Sequence, residues 1–315
     1  MLKLFMTSSL ESRGVIMKLE IKNINKSFGD KQILHDISFT VESGKAMGFL
    51  GRNGAGKTTT IRTLMDVFKP DSGEFLLDGK PLNIEEVSIG YLPEERGMYQ
   101  RIKILDQLVY FGELKGMDRE KAKEKALEGL EKLELSEYAN KKLETLSKGN
   151  QQKVQILEAI INEPDIVVFD EPFSGLDPVN ARVLKDILVE YINKDKIVIF
   201  SSHQMTVVEE FCNDITFIKD GRIKLSGNLD EEKAKRGKDK YLIHSASLDT
   251  LSKIQALPYV VNAEERKDEI FVELSENKSS NEFLRDLLKE DIQVDVFKPF
   301  RPSLEELFIS MDKEA

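Results

Sequence analysis

The ten residues "GRNGAGKTTT" (51–60) constrain this chain more than any other stretch, because they fit G-x-x-x-x-G-K-[ST] at Gly51, Gly56, Lys57 and Thr58. The apolar run "AMGFL" precedes them and "TTTIRTLMDVF" follows, the strand–loop–helix context in which that spacing has physical meaning. Glycines let successive backbone N–H groups turn inward on an anion, where a Cβ would intrude. Arg52, Asn53, Gly54 and Ala55 complete the loop. Lys57 adds a point charge for nucleotide phosphates, Thr58, with Thr59 beside it, offers a hydroxyl to Mg²⁺, and the helix N-terminus favours the anion.

Such a loop needs a metal carboxylate on a neighbouring strand. "DIVVFDE" ends an apolar run in Asp170 and Glu171, and a buried strand delivers carboxylates at its C-terminal edge, where ligands bind in open parallel sheets. Asp170 is expected to hold Mg²⁺, directly or through water, and Glu171 to polarise an attacking water.

The rest of the chain supplies the frame. Residues 18–50 alternate apolar and polar positions around the turn-like "FGDKQ", and "GEFLLDGKPL" carries an Asp78-Gly79 turn between further strands. From Ile104 to Leu135 the period becomes helical, with Asp118 as the expected N-cap of a second helix. Strand–helix alternation resumes with "DIVVFDE", a helix from Pro178 to about Asn193, and "KIVIFSS". This is an α/β core with an antiparallel β subdomain and a helical insert at about 98–162. "DEEKAKRGKDK" (230–240) is charged and almost free of apolar residues, and reads as a linker. Beyond it the pattern predicts strand 241–246, helix 248–256, strands 259–265 and 269–274, helix 279–290, strand 292–298 and a last helix over 303–312 capped by Ser303. That order is the ferredoxin-like one, a small α+β domain over 241–315.

With these residues on the page, the stretch 17–229 resembles the nucleotide-binding domains of ABC transporters, a branch of the P-loop ATPases. "LSKGNQQK" (146–153) falls where that family carries its LSGGQ signature. Ser147, Lys148, Gly149, Asn150 and Gln151 are then implied to close over the ATP of an opposite subunit, with Lys148 and Asn150 departing from the usual Gly and Gln. "SGLDP" (174–178) resembles the D-loop, through Asp177; His203 resembles the switch histidine at the γ-phosphate; Phe28 resembles the aromatic that stacks on adenine. "YLPEERGMY" (91–99) falls on the Q-loop, and its register puts Glu94 where a glutamine is usual, which keeps an oxygen for Mg²⁺ and loses an amide donor. Glu95 then belongs to the surface, with Arg96 either neutralising it or facing a membrane partner.

The resemblance implies an ATP- and Mg²⁺-dependent ATPase that dimerises with a second copy or a homologue and drives export through a polytopic membrane permease, from the cytoplasmic face of the membrane. The tail, with "FRPSLEELFISM" (300–311), resembles the C-terminal extension of bacterial exporter ATPases grouped with sodium extrusion and drug export. A soluble ABC ATPase acting on ribosomes or another macromolecule is the alternative reading; such proteins usually carry two cassettes.

Composition sets the outer limits. The net charge is −10, and Asp230 to Ala315 holds 20 acidic and 14 basic residues, so neither the whole nor the tail offers the basic face that gripping nucleic acid requires. No apolar run approaches the roughly 20 residues that span a bilayer. One cysteine, Cys212, excludes an internal disulfide and reads as core packing. Residues 1–16 carry no secretory pattern; codons for Arg13-Gly14-Val15 can spell a ribosome-binding site, so the expected natural start is Met17.

Overall fold

The computed structural model describes residues 16–94, 97–173, 177–245, 249–275 and 278–313. The expectations about residues 1–15 and about Glu95 and Arg96 lie outside them. The chain divides into two compact units, Met1–Gly227 and Asn228–Ala315.

The first unit is built on two sheets. Strands β1 (Lys18–Phe28), β2 (Lys31–Glu42), β4 (Ser72–Leu77) and β5 (Lys80–Pro81) form an antiparallel sheet in the order β2-β1-β4-β5. Asp78 and Gly79 both take positive φ, 52° and 76°, the paired left-handed geometry of a tight hairpin turn. The second sheet runs β10-β9-β3-β8-β7-β6, with β3 (Lys45–Leu50), β6 (Ile89–Leu92), β7 (Ile166–Asp170), β8 (Ile197–Ser202), β9 (Asp214–Lys219) and β10 (Arg222–Asn228). Its β6-β7-β8-β3-β9 ladders are parallel. Strands buried on both faces read as unbroken apolar runs, which is why β7 and β8 are legible as "IVVFD" and "IVIFSS", every residue buried. Apolar side chains of both sheets share one core, in which Phe39 of β2 stacks on Phe49 of β3 at 5.3 Å.

Helix α1 (Lys57–Leu64) leaves the end of β3. Between β6 and β7 lie α2 (Ile104–Leu114), α3 (Arg119–Lys132), two short 3₁₀ turns and α4 (Lys148–Ile160). Asp118 stands at the N-cap of α3, but its carboxylate makes no capping hydrogen bond; with Glu120 in the first turn it places negative charge at that helix end. Helix α5 spans Pro178–Asn193 and α6 Met205–Phe211. Cys212 follows α6, buried, and packs beside Gly48 in the core.

The second unit begins with a correction. The stretch 230–240 is not an open linker, since α7 (Leu229–Arg236) occupies most of it. Asn228 caps the helix by accepting from the Glu231 N–H at 3.2 Å, and Leu229 is buried. Asp230, Glu231 and Glu232 fall in the first turn and Lys233, Lys235 and Arg236 in the last, so the charges complement the helix dipole. After α7 come β11 (Lys240–His244), α8 (Thr250–Gln255), β12 (Val260–Arg266), β13 (Glu269–Leu274), α9 (Ser280–Lys289), β14 (Val296–Pro299) and α10 (Leu304–Lys313). The sheet order β12-β13-β11-β14 is antiparallel throughout, with α8 and α9 supplying Ile254, Phe283 and Leu287 to its core. This is the expected ferredoxin-like arrangement. The last strand starts four residues later than predicted: Ile292 donates back to the Leu287 carbonyl at 3.0 Å and buries its side chain, closing α9 instead of extending a strand. Ser303 caps α10, accepting from the Glu306 N–H at 3.1 Å.

Candidate nucleotide site

Parallel pairing brings four strand ends to one edge of the second sheet, where β3 delivers the glycine-rich loop, β7 delivers Asp170 and Glu171, β8 delivers His203, and β6 delivers Glu94. Gly56, the N-cap of α1, has φ +112°, and a Cβ there would come within 2.9 Å of Leu34. Only glycine meets both conditions without strain.

A cleft of about 180 Å³ opens at this edge, lined by Ile33, Arg52, Asn53, Gly54, Gly56, Lys57, Thr58, Thr59, Glu94 and Glu171. Gly51 and Ala55 are buried in the base of the loop rather than in the cleft wall. Lys57 is 6 % exposed, donates to the Gly51 carbonyl at 2.7 Å, and lies 3.8 Å from Glu171 Oε1. That buried ammonium is the positive centre of the cleft, held by the loop it will help to fill.

Glu171 has φ 51°, a left-handed conformation that disfavours any residue with a Cβ. Its N–H is shared between the Ser201 carbonyl at 3.2 Å and the Ser201 hydroxyl at 3.1 Å, which fixes the turn after β7. Its Oε2 meets His203 Nδ1 at 2.8 Å. The same Ser201 hydroxyl donates to Asp170 Oδ1, because register sets Asp170 opposite Ser201. Ser201 escaped sequence reasoning, although a serine in an otherwise apolar buried strand is the signal that could have found it.

Among the described residues, Asp170 Oδ2 and Glu171 Oε1 are buried without a hydrogen-bond partner, Glu171 Oε1 facing the Lys57 ammonium at 3.8 Å. A buried carboxylate oxygen left bare needs a cation or a donor. No group of three His, Cys, Asp or Glu among the described residues could hold a metal alone. Asp170, the Thr58 hydroxyl and Glu94 are oxygen donors of the kind Mg²⁺ takes, with phosphate oxygens and water to complete its shell; Thr58 and Glu94 line the cleft, and Asp170 and His203 do not.

Phe28 is 45 % exposed, so it is not a core residue; it does not line the cleft, meeting Phe68 edge-on at 5.0 Å with the Lys26 ammonium 5.5 Å from its ring. Ser147 caps α4, accepting from the Asn150 N–H at 3.3 Å. None of residues 147–151 lines the cleft. Gly149 faces Asn180 so closely that a Cβ would lie 2.3 Å from Asn180 Nδ2, and Asp177 accepts from the Asn180 N–H at 3.0 Å and from its side-chain amide. The structure thus joins the signature to the D-loop aspartate through Asn180, a residue the motifs do not single out. Ser174, Gly175 and Leu176 of that loop lie outside the described residues.

A glycine loop on a parallel sheet, a buried lysine and a neighbouring Asp-Glu pair define a P-loop nucleoside triphosphatase. Comparison with known proteins narrows the class. Residues 34–174 match the family profile "ABC transporter", and residues 227–311 match "ATP-binding protein DrrA1-3-like, C-terminal domain". The uncharacterized ABC transporter ATP-binding protein YhaQ of Bacillus subtilis is 37 % identical over 92 % of this chain and 97 % of its own length. Nod factor export ATP-binding protein I of Burkholderia lata is 31 % identical over 66 % and 69 %. Among solved structures, dimeric MJ0796, a bacterial ABC transporter cassette, superposes with TM-score 0.60 at 25 % identity, covering 67 % of this chain and 98 % of that one. The chain belongs to the ATP-binding, ATP-hydrolysing subunits of ABC transporters.

Proposed function

We propose that the cassette pairs with a second copy or a homologue, with ATP held at each seam between one phosphate loop and the other subunit's signature. The observation that carries this reading is the separation within one chain: the cleft gathers Lys57, Thr58, Glu94 and Glu171 but none of Ser147 to Gln151. A cleft so built covers one side of a triphosphate only. The Ser147-capped end of α4, with its inward N–H groups and Lys148, is suited to an anion brought by another subunit.

In this reading Arg52 to Thr59 cradle the phosphates and Phe28, exposed with the Lys26 ammonium beside it, stacks on the base. Glu171 accepts a proton from water while His203 fixes its carboxylate and faces the γ-phosphate. Asp170, Thr58 and Glu94 would hold Mg²⁺, which when bound neutralises phosphate charge. Asp177 organises the seam through Asn180.

The domain reading follows the same lines: a nucleotide-binding domain up to Gly227 and an accessory domain after it. No helix among the described residues is long and apolar enough to cross a membrane. In this reading a separate polytopic permease carries the transport path. Export is the direction favoured by the resemblance to an export ATP-binding protein. The test is co-purification of the Glu171→Gln chain with ATP: recovery as a dimer, bound to a polytopic membrane protein, supports the reading, and recovery as a monomer at all ATP concentrations overturns it.

A further inference from the structure

Strand β8 ends in two buried serines, Ser201 and Ser202, after a run in which every side chain is apolar. A buried hydroxyl destabilises a strand unless its hydrogen bonds are made. Neighbours on a strand face opposite sides of the sheet, and these two serines find their partners in different places. The Ser202 hydroxyl accepts from the Gln204 N–H at 2.9 Å, two residues on, and so serves the turn into α6. The Ser201 hydroxyl reaches across to β7 instead, where register sets it opposite Asp170.

A hydroxyl has one proton to donate, whereas an ionised carboxylate only accepts and an N–H only donates. The Ser201 proton therefore goes to Asp170 Oδ1, and the Ser201 oxygen receives the Glu171 N–H at 3.1 Å. Among the described residues Ser201 is the one hydrogen-bond donor to the Asp170 carboxylate, since Oδ2 has no partner. The Glu171 N–H has a second acceptor in the Ser201 carbonyl at 3.2 Å. Removing the hydroxyl would strip Asp170 of its tie and leave Glu171 one of two.

Asp170 is 1 % exposed, so neither of its oxygens can turn to solvent. With Oδ1 held, the carboxylate is kept from rotating and Oδ2 keeps one direction. Hydrogen bonds of this kind orient a metal-holding carboxylate, and their loss typically lowers metal affinity by about 10- to 100-fold.

Resting on the reading of Asp170 as a holder of Mg²⁺, directly or through water, we propose that Ser201 is a positioning residue for the metal. By fixing Oδ1 it aims Oδ2, and it ties that carboxylate to the turn that carries Glu171. One hydroxyl thus sets the metal carboxylate and the base together.

Mn²⁺, a paramagnetic stand-in for Mg²⁺, can be titrated into the full chain holding one equivalent of a non-hydrolysable ATP analogue, with free Mn²⁺ read by electron paramagnetic resonance. Binding of the same analogue in EDTA reports the fold and the phosphate loop. Ser201→Ala is expected to weaken Mn²⁺ by about tenfold or more while analogue binding in EDTA stays unchanged. Ser202→Ala, the same change to the neighbouring buried hydroxyl, is expected to bind Mn²⁺ like the parent. Asp170→Asn is expected to weaken Mn²⁺ as well, and adding Ser201→Ala to it to weaken Mn²⁺ no further, as two changes on one interaction do. Parent-like Mn²⁺ binding by Ser201→Ala beside weakened binding by Asp170→Asn overturns the role of Ser201 alone. Parent-like binding by both overturns the reading of Asp170, and the role of Ser201 with it. Equal losses in Ser201→Ala and Ser202→Ala, a further loss in the double variant, or analogue binding lost in EDTA each overturn it too, because each places Ser201 in the fold rather than at the metal.

Discussion

His203 Nδ1 stands 2.8 Å from Glu171 Oε2, while the other oxygen of the same carboxylate lies 3.8 Å from Lys57. Glu171 is thereby aimed from both sides. Replacing it by glutamine keeps the shape and removes the basic oxygen. Glu171→Gln is expected to leave ATP binding intact and lower turnover by about 10² to 10⁴. Steady-state phosphate release beside equilibrium nucleotide binding checks both halves; near-normal release shows that Glu171 is not the base.

Lys57 donates to its own loop at Gly51 and is the buried cation of the cleft wall, where Arg52 is exposed. A hydrogen bond to a charged group contributes about 1.5–3 kcal/mol. Lys57→Ala is expected to weaken ATP by roughly tenfold or more. Unchanged affinity by calorimetry removes the phosphate-loop assignment.

Glu94 puts a carboxylate, exposed, into the wall of a cleft that takes a polyanion. Its repulsion is tolerable only while a cation screens it. Glu94→Gln is expected to strengthen ATP binding in EDTA by several-fold and to narrow the difference between binding with and without Mg²⁺. If that difference is the same in both chains, Glu94 does not act on the metal.

Gly149 has no room for a methyl group, since a Cβ would meet Asn180 Nδ2 at 2.3 Å and Asp177 Oδ2 at 3.3 Å. Gly149→Ala is expected to displace Asn180 and to lower ATPase activity while binding of ATP to the single chain is kept. Activity equal to that of the parent shows that the contact between signature and D-loop is dispensable.

In the second unit, Lys278, the Tyr259 hydroxyl and Lys289 hold the Asp286 carboxyl down from 3.8 to about 2. A carboxyl with a lowered folded-state pKa contributes stability above its unfolded value, and that contribution is lost as pH falls through about 2. The melting temperature of Asp286→Asn is therefore expected to fall below the parent's at pH 7, with the gap closing toward pH 2. A gap independent of pH places the effect in packing.

What the sequence made legible follows from periodicity and register. Strands buried on both faces stand out, and motif spacing located the loop, the Asp170-Glu171 pair and Glu94. Helix α7 was hidden because it buries little beyond Leu229 and the Lys233 stem, so its composition looks like that of a solvated chain. Ser201 and Asn180 were hidden for another reason. Each acts through a residue distant in sequence or on another element, Asp170 in one case and Gly149 in the other, and only folding makes them neighbours.

Sheet order has one more consequence. Of the four strands that feed the cleft, β3, β8 and β7 each lie between two strands, whereas β6 ends the sheet, paired with β7 and packed so closely on α4 that a Cβ at Gly90 would lie 2.4 Å from the Ala159 carbonyl. Glu94 therefore enters the cleft from the rim of the sheet, on a strand seated against the helix that Ser147 caps, while Lys57, Asp170, Glu171 and His203 end or follow strands hydrogen-bonded on both sides.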